Sequence, residues 1–287
     1  MITVFTPAFN RAPELKRLYA SLLTQDYSDF EWLIVDDGST DSTREAVAEM
    51  SAEGRLNIRY VYQENKGKSK AVNHGIDLAL GEAFFCIDSD DYFMPSVLGR
   101  VAKEFENIKD NSDVGGLGFL HLHADSEKIV GTAYPQDSMT DTYFNIYNKY
   151  GVTGDKQFVF KTSVMREYKF PEIENEKFVP EALMFNRISQ KYKMKFFNTP
   201  IVYKEYLESG YTAGYFNLCK RNPVGQVLYY KELYALQPSL YNAAAYDMYC
   251  MYAGVGLAAA VKEHPSPFVA LMMYLPAYIK YLLKERG

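Results

Sequence analysis

Short apolar runs recur through the first 110 residues, and stripes at helical spacing separate them. Ile2 to Thr6 is the first run and stops at Pro7, and Glu31-Trp32-Leu33-Ile34-Val35 is the second. Ile58 to Gln63 alternates well enough for a third strand, and Ala83 to Ile87 is the fourth. Runs this short and continuous suit strands buried on both faces. After the first run, Asn10 is the expected helix cap, Pro13 sits in the first turn, and Leu15, Leu18 and Leu22 follow. Ser42 with Glu45 predicts a capping box for a helix through Met50. Ala71, Val72, Ile76, Ala79 and Leu80 make a third stripe up to Gly81, and Pro95 opens a helix carrying Val97, Leu98, Val101 and Phe105. Strand and helix in alternation predict right-handed crossovers and a mainly parallel sheet.

The pattern weakens after about Asn111. Val114 to Leu120 and Phe158-Val159-Phe160 predict strands, and Glu181 to Tyr192 predicts a helix with Pro180 at its start. The Tyr-rich stretch around them has little periodicity. Near the end, Tyr246 to Val261 is rich in Ala, Gly, Tyr and Met, and Phe268 to Leu283 is apolar apart from Lys280. The second stretch contains Pro276 and is short for a membrane span, which needs about 20 apolar residues. It is read either as a helical pair packed on the domain or on a second subunit, or as an interfacial segment. In the interfacial reading Leu271, Leu275 and Leu282 enter the interface, and Lys280, Lys284 and Arg286 reach anionic headgroups. These shifts divide the chain into residues 1–110, residues 111–215 as the second half of the same domain, and a helical extension over 216–287.

Composition narrows the function classes. Of 287 residues, 48% are hydrophobic and 23% charged, an ordinary globular balance, and the net charge of -5 argues against nucleic acid as partner. The 25 Tyr and 18 Phe suit a core or a surface that meets sugars. Cys86, Cys219 and Cys250 are odd in number and far apart, as expected of reduced thiols in a cytoplasmic protein. Met1 leads straight into an apolar strand, so no secretory leader is expected. His121 and His123 alternate in a strand-like stretch without a carboxylate cluster nearby, which is a poor basis for a metal pair.

Two strands end in acid. The second runs into Asp36-Asp37-Gly38-Ser39-Thr40-Asp41, and the fourth into Asp88-Ser89-Asp90-Asp91. In an open α/β sheet such loops face the crevice outside the strand ends. Crowded carboxylates repel one another, and a hard cation such as Mg²⁺ or Mn²⁺ relieves the repulsion. One acidic pair would then accept from a base and ribose while the other holds a metal on a diphosphate, stabilising a nucleoside diphosphate as leaving group.

Taken together, Thr6-Pro7-Ala8-Phe9-Asn10, Glu31 to Asp41, and Gly81-Glu82 ahead of Asp88-Ser89-Asp90-Asp91 resemble the family 2 glycosyltransferases with the GT-A fold. Order and spacing agree over roughly residues 1 to 110. Thr153-Gly154-Asp155-Lys156 and Asn175 to Glu181 resemble a bacterial, polysaccharide-type subgroup. The resemblance implies a Rossmann-like, mainly parallel sheet flanked by helices, with residues 1–110 as the nucleotide-sugar-binding half and residues 111–215 as the acceptor-binding half. Thr6 and Phe9, with Pro7 and Asn10, would lie against the nucleobase, and Asp36 or Asp37 would accept from its N3–H. Lys66 and Lys68 would meet the diphosphate. Asp88 would touch the ribose or metal, Ser89 would join the nucleotide-sugar contacts, and Asp90 would be the main metal ligand. Asn73 stands in Ala71-Val72-Asn73 where many members carry Ala-Arg-Asn.

The family is inverting, which implies one direct displacement and a general base. Glu181 is the best match to that base, with Glu176 and Asp155 as rivals because the usual Glu-Asp pair is missing. A UDP-sugar donor, a saccharide or lipid-linked acceptor, and a place at the inner face of the cell membrane complete the expectation. Self-association through the apolar C-terminus is the other role open to that segment. Two rival readings are a scaffold protein that keeps the fold without turnover and a sugar-1-phosphate nucleotidyltransferase. The latter wants a Gly-rich phosphate loop after the first strand, and Thr6 to Arg11 contains no glycine.

Overall fold

Strands β1 (Ile2–Ala8) and β2 (Phe30–Asp36) are buried along their whole length because side chains on both faces have cover. Ile2 and Val4 join a core with Leu15 and Leu18 of helix α1 (Ala12–Leu22) and with Val47 and Met50 of α2 (Thr43–Ala52). On the opposite face Phe5 lies against Gly75 of α3 (Lys68–Leu78), where any Cβ would fall 2.1 Å from the Phe5 ring. This two-sided cover is why both strands read as continuous apolar runs.

The computed structural model describes residues 1–205 and 214–285, so Arg286 lies outside the described residues. The chain divides into two compact units, Met1–Lys169 with Arg187–Glu208, and Phe170–Asn186 with Ser209–Gly287. The first holds a nine-stranded sheet among the described residues. It adds β3 (Ile58–Tyr62), β4 (Ala83–Cys86), β5 (Tyr92–Phe93), β6 (Val114–His123), β7 (Ser138–Asp141), β8 (Lys156–Lys161) and β9 (Lys193–Lys204) to the two central strands. The order is β3-β2-β1-β4-β8-β6-β9-β5, with β7 on β9. The four strands read from the pattern, β1 to β4, pair in parallel. Beyond them β8 runs antiparallel to β4 and β6, and β9 runs parallel to β6. Helices α4 (Leu98–Glu106), α5 (Tyr143–Asn148) and α6 (Thr162–Glu167) complete this unit, and α7 (Glu181–Ile188) follows.

Several local expectations change. Asn10 does not cap α1. Its φ of 55° places it in a turn, where its Oδ1 accepts from the backbone N–H of Thr40 at 2.8 Å and of Asp41 at 3.3 Å. Ser42 occupies the cap position of α2 without a side-chain bond, and Asp41 instead accepts from the Thr43 N–H at 3.0 Å. The helix read from Pro95 starts at Leu98, and the helix at Glu181 stops at Ile188 rather than Tyr192. His264 is buried between Tyr234 and Tyr246 in the cap position at the end of a helix.

The second unit is helical after Gly214. It contains α8 (Tyr215–Arg221), α9 (Pro223–Leu236), α10 (Leu240–Tyr252), α11 (Leu257–Glu263) and α12 (Pro267–Glu285). Helix α12 runs on through Pro276, which sits on its exposed side. Its buried side is made of Ala270 and Ala277, seven residues apart, and small residues there let α10 approach closely. No described helix is long and apolar enough to cross a membrane.

Candidate active site

The site is assembled at the carboxyl ends of β1, β2 and β4, where open sheets of this kind hold ligands. The register brings Ala8 opposite Asp36, and Asp37 donates its N–H to the Ala8 carbonyl at 2.8 Å. From the neighbouring strand, Ile87 donates to the Phe5 carbonyl at 2.9 Å, which carries the chain into Asp88.

Asp36 and Asp37 are both buried and both shape the backbone. Asp36 Oδ1 accepts from the Ser39 N–H at 2.7 Å, and Oδ2 accepts from the Tyr60 hydroxyl. Asp37 Oδ1 accepts from Gln63 Nε2 at 2.7 Å and from the Lys66 N–H at 2.9 Å, while Oδ2 accepts from the Gly67 N–H at 2.7 Å. Asp37 therefore holds the turn that leads into α3. Gly38 at φ 85° and Gly67 at φ 94° make that turn, and a Cβ on Gly38 would lie 2.7 Å from the Asn65 nitrogen. With three donors on Asp37 and two on Asp36, Asp36 keeps the greater acceptor capacity for a ligand.

Thr6 and Pro7 are buried, and Thr6 Oγ1 accepts from the Trp32 indole N–H at 3.0 Å. Phe9 is 45% exposed at the end of β1, an aromatic face open to stacking. Asn73 is buried in α3, Lys66 is exposed, and Lys68 stands in the first turn of α3.

Asp88, Asp90 and Asp91 each present one oxygen, and these oxygens lie within 4.8 Å of one another. Lys68 Nζ is 2.6 Å from Asp88 Oδ1. Burial works against the Asp88 charge, but Lys68 and Lys204 outweigh it and hold the carboxyl well below the usual carboxylate range. Burial, with the nearby Asp88 charge, pushes Asp90 up. Burial, opposed by Lys204 and reinforced by Asp88 and Asp90, pushes Asp91 up to about 8. Asp91 Oδ1 is buried without a hydrogen-bond partner. An all-oxygen donor set that strains to carry its charges, with one orphaned oxygen, fits a hard divalent cation such as Mg²⁺ or Mn²⁺. Ser89 is buried within the same turn, and Arg17 donates to the Asp90 carbonyl at 2.7 Å.

Asp155 belongs to the same unit and lies 3.5 Å from Lys204. The loop carrying it is gripped by Lys156, whose buried Nζ donates to the carbonyls of Val130 at 2.8 Å and Thr153 at 2.7 Å. Burial lowers that ammonium to about 8. Glu181 and Glu176 belong to the second unit. Glu181 is exposed as the first residue of α7. Glu176 is buried, and its two oxygens accept from the N–H groups of Val224 at 2.6 Å and Gly225 at 2.8 Å. That carboxylate caps α9, and Asn222 supports it by accepting from the Lys177 N–H at 2.7 Å. The basic Lys220-Arg221-Asn222-Pro223 stretch thus forms the α8–α9 junction, with Asn222 buried inside it.

The ligand-capable group among the described residues is made of Asp88, Asp90 and Asp91 without His121 or His123, although His121 is near enough to feel the charges of Asp88 and Asp155. His121 is buried and donates from Nε2 to Gln157 Oε1 at 3.2 Å. The assignment follows from Gln157 Nε2, which donates to the Cys86 carbonyl at 2.7 Å. Burial chiefly, and then Lys204, lowers His121 to about 4. Sequence reasoning missed Lys204, Gln157 and the weight of Asp91. A lysine ending an unrecognised strand carries no local signal, whereas Asp91 was present in the acidic run itself.

Several known proteins are similar to this chain. An uncharacterised glycosyltransferase of Nostoc sp. is 36% identical over 135 residues, 47% of this chain and 41% of the relative. The chondroitin synthase of Escherichia coli is 33% identical over 105 residues, 37% of this chain and 15% of that protein. The chain thus spans less than half the length of these curated relatives. Among solved structures, residues 1–349 of Staphylococcus aureus TarS in complex with UDP-GlcNAc superpose with a TM-score of 0.64 at 16% identity, covering 99% of this chain and 91% of that one. The mannosyltransferase PcManGT from Pyrobaculum calidifontis, in complex with GDP-Man and Mn²⁺, superposes with a TM-score of 0.57 at 20% identity, covering 99% of this chain and 84% of that one. At these identities the likeness speaks for the fold. The family model described as glycosyl transferase family 2 matches residues 3–168, the stretch that builds both acidic loops, and the chain belongs to that family.

Proposed function

We propose that the chain is a metal-dependent, inverting glycosyltransferase that takes its sugar from a UDP-sugar. The observation that carries this reading is the trio Asp88, Asp90 and Asp91, which sits at the end of β4 in the same crevice as Asp36 and Asp37. Nucleotide sugars in two similar structures, one of them with Mn²⁺, support it. Asp90, Asp88 and Asp91 would hold Mn²⁺ or Mg²⁺, and such an ion, when bound, neutralises charge growing on the leaving diphosphate. Phe9 stacks on the base beside Thr6, Pro7 and Asn10, and Asp36 accepts from it with Asp37 shaping the loop. Lys68 and Lys66 meet the diphosphate, and Asn73 and Ser89 complete the donor contacts.

Transfer is one displacement. The acceptor oxygen bonds to the anomeric carbon as the bond from that carbon to the diphosphate breaks, and the hydroxyl proton passes to a carboxylate. Glu181 takes that role by its motif position and exposure, and the engagement of Glu176 at the α9 N-terminus argues against the rival. The acceptor is a growing surface polysaccharide or a lipid-linked saccharide at the cytoplasmic membrane face. The outward side of α12 supports a lipid surface as partner. Phe268, Leu271, Leu275, Ile279 and Leu283 are exposed there, and residues 264–284 include Lys280 and Lys284 but no acidic residue.

Calorimetric titration of UDP, with GDP and ADP as controls, tests the donor site. UDP should bind tightly with Mn²⁺ and at least tenfold more weakly without it, and Asp90→Ala should erase the difference. UDP binding that ignores the metal would take the metal role from Asp90. Metal-dependent binding with no transfer to any acceptor would favour the scaffold reading.

A further inference from the structure

Lys204 ends β9, and its side chain is only 11% exposed among carboxylates. Its Nζ lies 3.3 Å from Asp91 Oδ2, 3.5 Å from Asp155 Oδ2 and 3.8 Å from Asp88 Oδ2. Two of those partners belong to the trio that would hold the metal. Lys68 takes the other oxygen of Asp88. Yet Asp91 Oδ1 stays buried and unpartnered, so the two lysines leave the cluster incompletely satisfied. An ammonium this close has two effects. It keeps the carboxylates gathered when no metal is present, and it opposes a divalent ion arriving alone. A nucleoside diphosphate changes the balance, because its phosphate oxygens offer the same ammonium a new anionic partner.

We propose that Lys204 is a resident counter-cation of the donor site. It sits on Asp88 and Asp91 while the site lacks donor and passes to the diphosphate when metal and nucleotide arrive. Metal and nucleotide therefore bind as a coupled pair rather than independently. The inference rests on the donor-site reading above, and it assigns to that site a residue from the far end of the sheet. Linkage makes the coupling reciprocal: whatever factor UDP adds to Mn²⁺ affinity, Mn²⁺ adds to UDP affinity.

The test is titration of Mn²⁺ into the full chain, without and with saturating UDP, followed by calorimetry or by the electron spin resonance of free Mn²⁺. In the wild type, UDP should tighten Mn²⁺ at least tenfold. In Lys204→Met, Mn²⁺ alone should bind at least fivefold tighter than in the wild type, and the tightening by UDP should shrink by a similar factor. Lys204→Arg keeps the charge and should restore the wild-type pattern. Lys204→Gln carries the same expectation as the Met variant should that variant fail to fold. A neutral variant with unchanged Mn²⁺ affinity and unchanged coupling overturns the proposal, as does one that loses Mn²⁺ binding, which would make Lys204 a structural prop for Asp91. If wild-type chain binds Mn²⁺ but no UDP, the donor site itself fails and the inference with it. Binding of both with coupling indifferent to Lys204 sinks the inference alone.

Discussion

At the scale of single residues, burial and donors decide what a carboxylate can do. Asp37 and Glu176 look like chemistry in the sequence, but each spends its oxygens on backbone N–H groups. A carboxylate engaged in this way has little freedom to take a proton from substrate. Glu181, by contrast, is exposed as the first residue of α7. Glu181→Gln should leave metal-dependent UDP binding intact and lower the rate of transfer by roughly 100-fold or more, the usual scale for loss of a positioned base. Steady-state transfer assays beside UDP titration would check it, and normal transfer by the variant would return the role to Asp155 or Glu176.

At the scale of elements, helix α10 carries an unusual burden. Asp247 is fully buried there, and neither of its oxygens has a hydrogen-bond partner among the described residues. Burial raises its pKa to about 7 from an ordinary 3.8. Between those values the folded chain binds more protons than the unfolded one, so the contribution is present below the unfolded pKa and is lost as pH rises through 7. Asp247→Asn should remove that loss and raise stability by roughly 2 kcal/mol more at pH 8 than at pH 5. Denaturant melts at the two pH values measure it, and an equal effect at both would mean the carboxyl is not held neutral. Strand β9 shows the opposite problem, an element that hides. Pro200 interrupts its apolar run, which argues against a central strand. The fold tolerates it where the pairing with β6 shifts register around Leu120, so the missing N–H falls at an irregularity in the ladder.

At the scale of the molecule, the exposed side of α12 asks for cover. A contiguous apolar stripe of this kind marks an interaction surface. Lysines with no acidic residue among them favour anionic lipid over a neutral surface. The chain should sediment with vesicles containing phosphatidylglycerol and much less with phosphatidylcholine alone. Leu271→Glu with Leu275→Glu should weaken that binding about 100-fold or more, on the logic that each of the two lost apolar contacts is worth about 1.5 kcal/mol or more. A wild type that ignores vesicles but dimerises, with a monomeric double variant, would assign the face to a second copy.

The linear pattern was sufficient for the parallel half of the sheet and for both acidic loops. Strands covered on two faces must be continuously apolar, and carboxylates at a strand end are adjacent in the chain. The Asp-Asp-Gly-Ser and Asp-Ser-Asp-Asp runs announced themselves for that reason. It was not sufficient for the irregular second half, where strands β7 and β9 carry polar residues and a proline. Nor could it show the commitment of Glu176 to α9 or of Asp36 to Tyr60. Least of all could it place Lys204, which meets Asp91 across 113 residues of chain. Periodicity and capping are local and leave a mark on neighbouring residues, whereas an ion pair between distant strands exists only once the sheet has set their register.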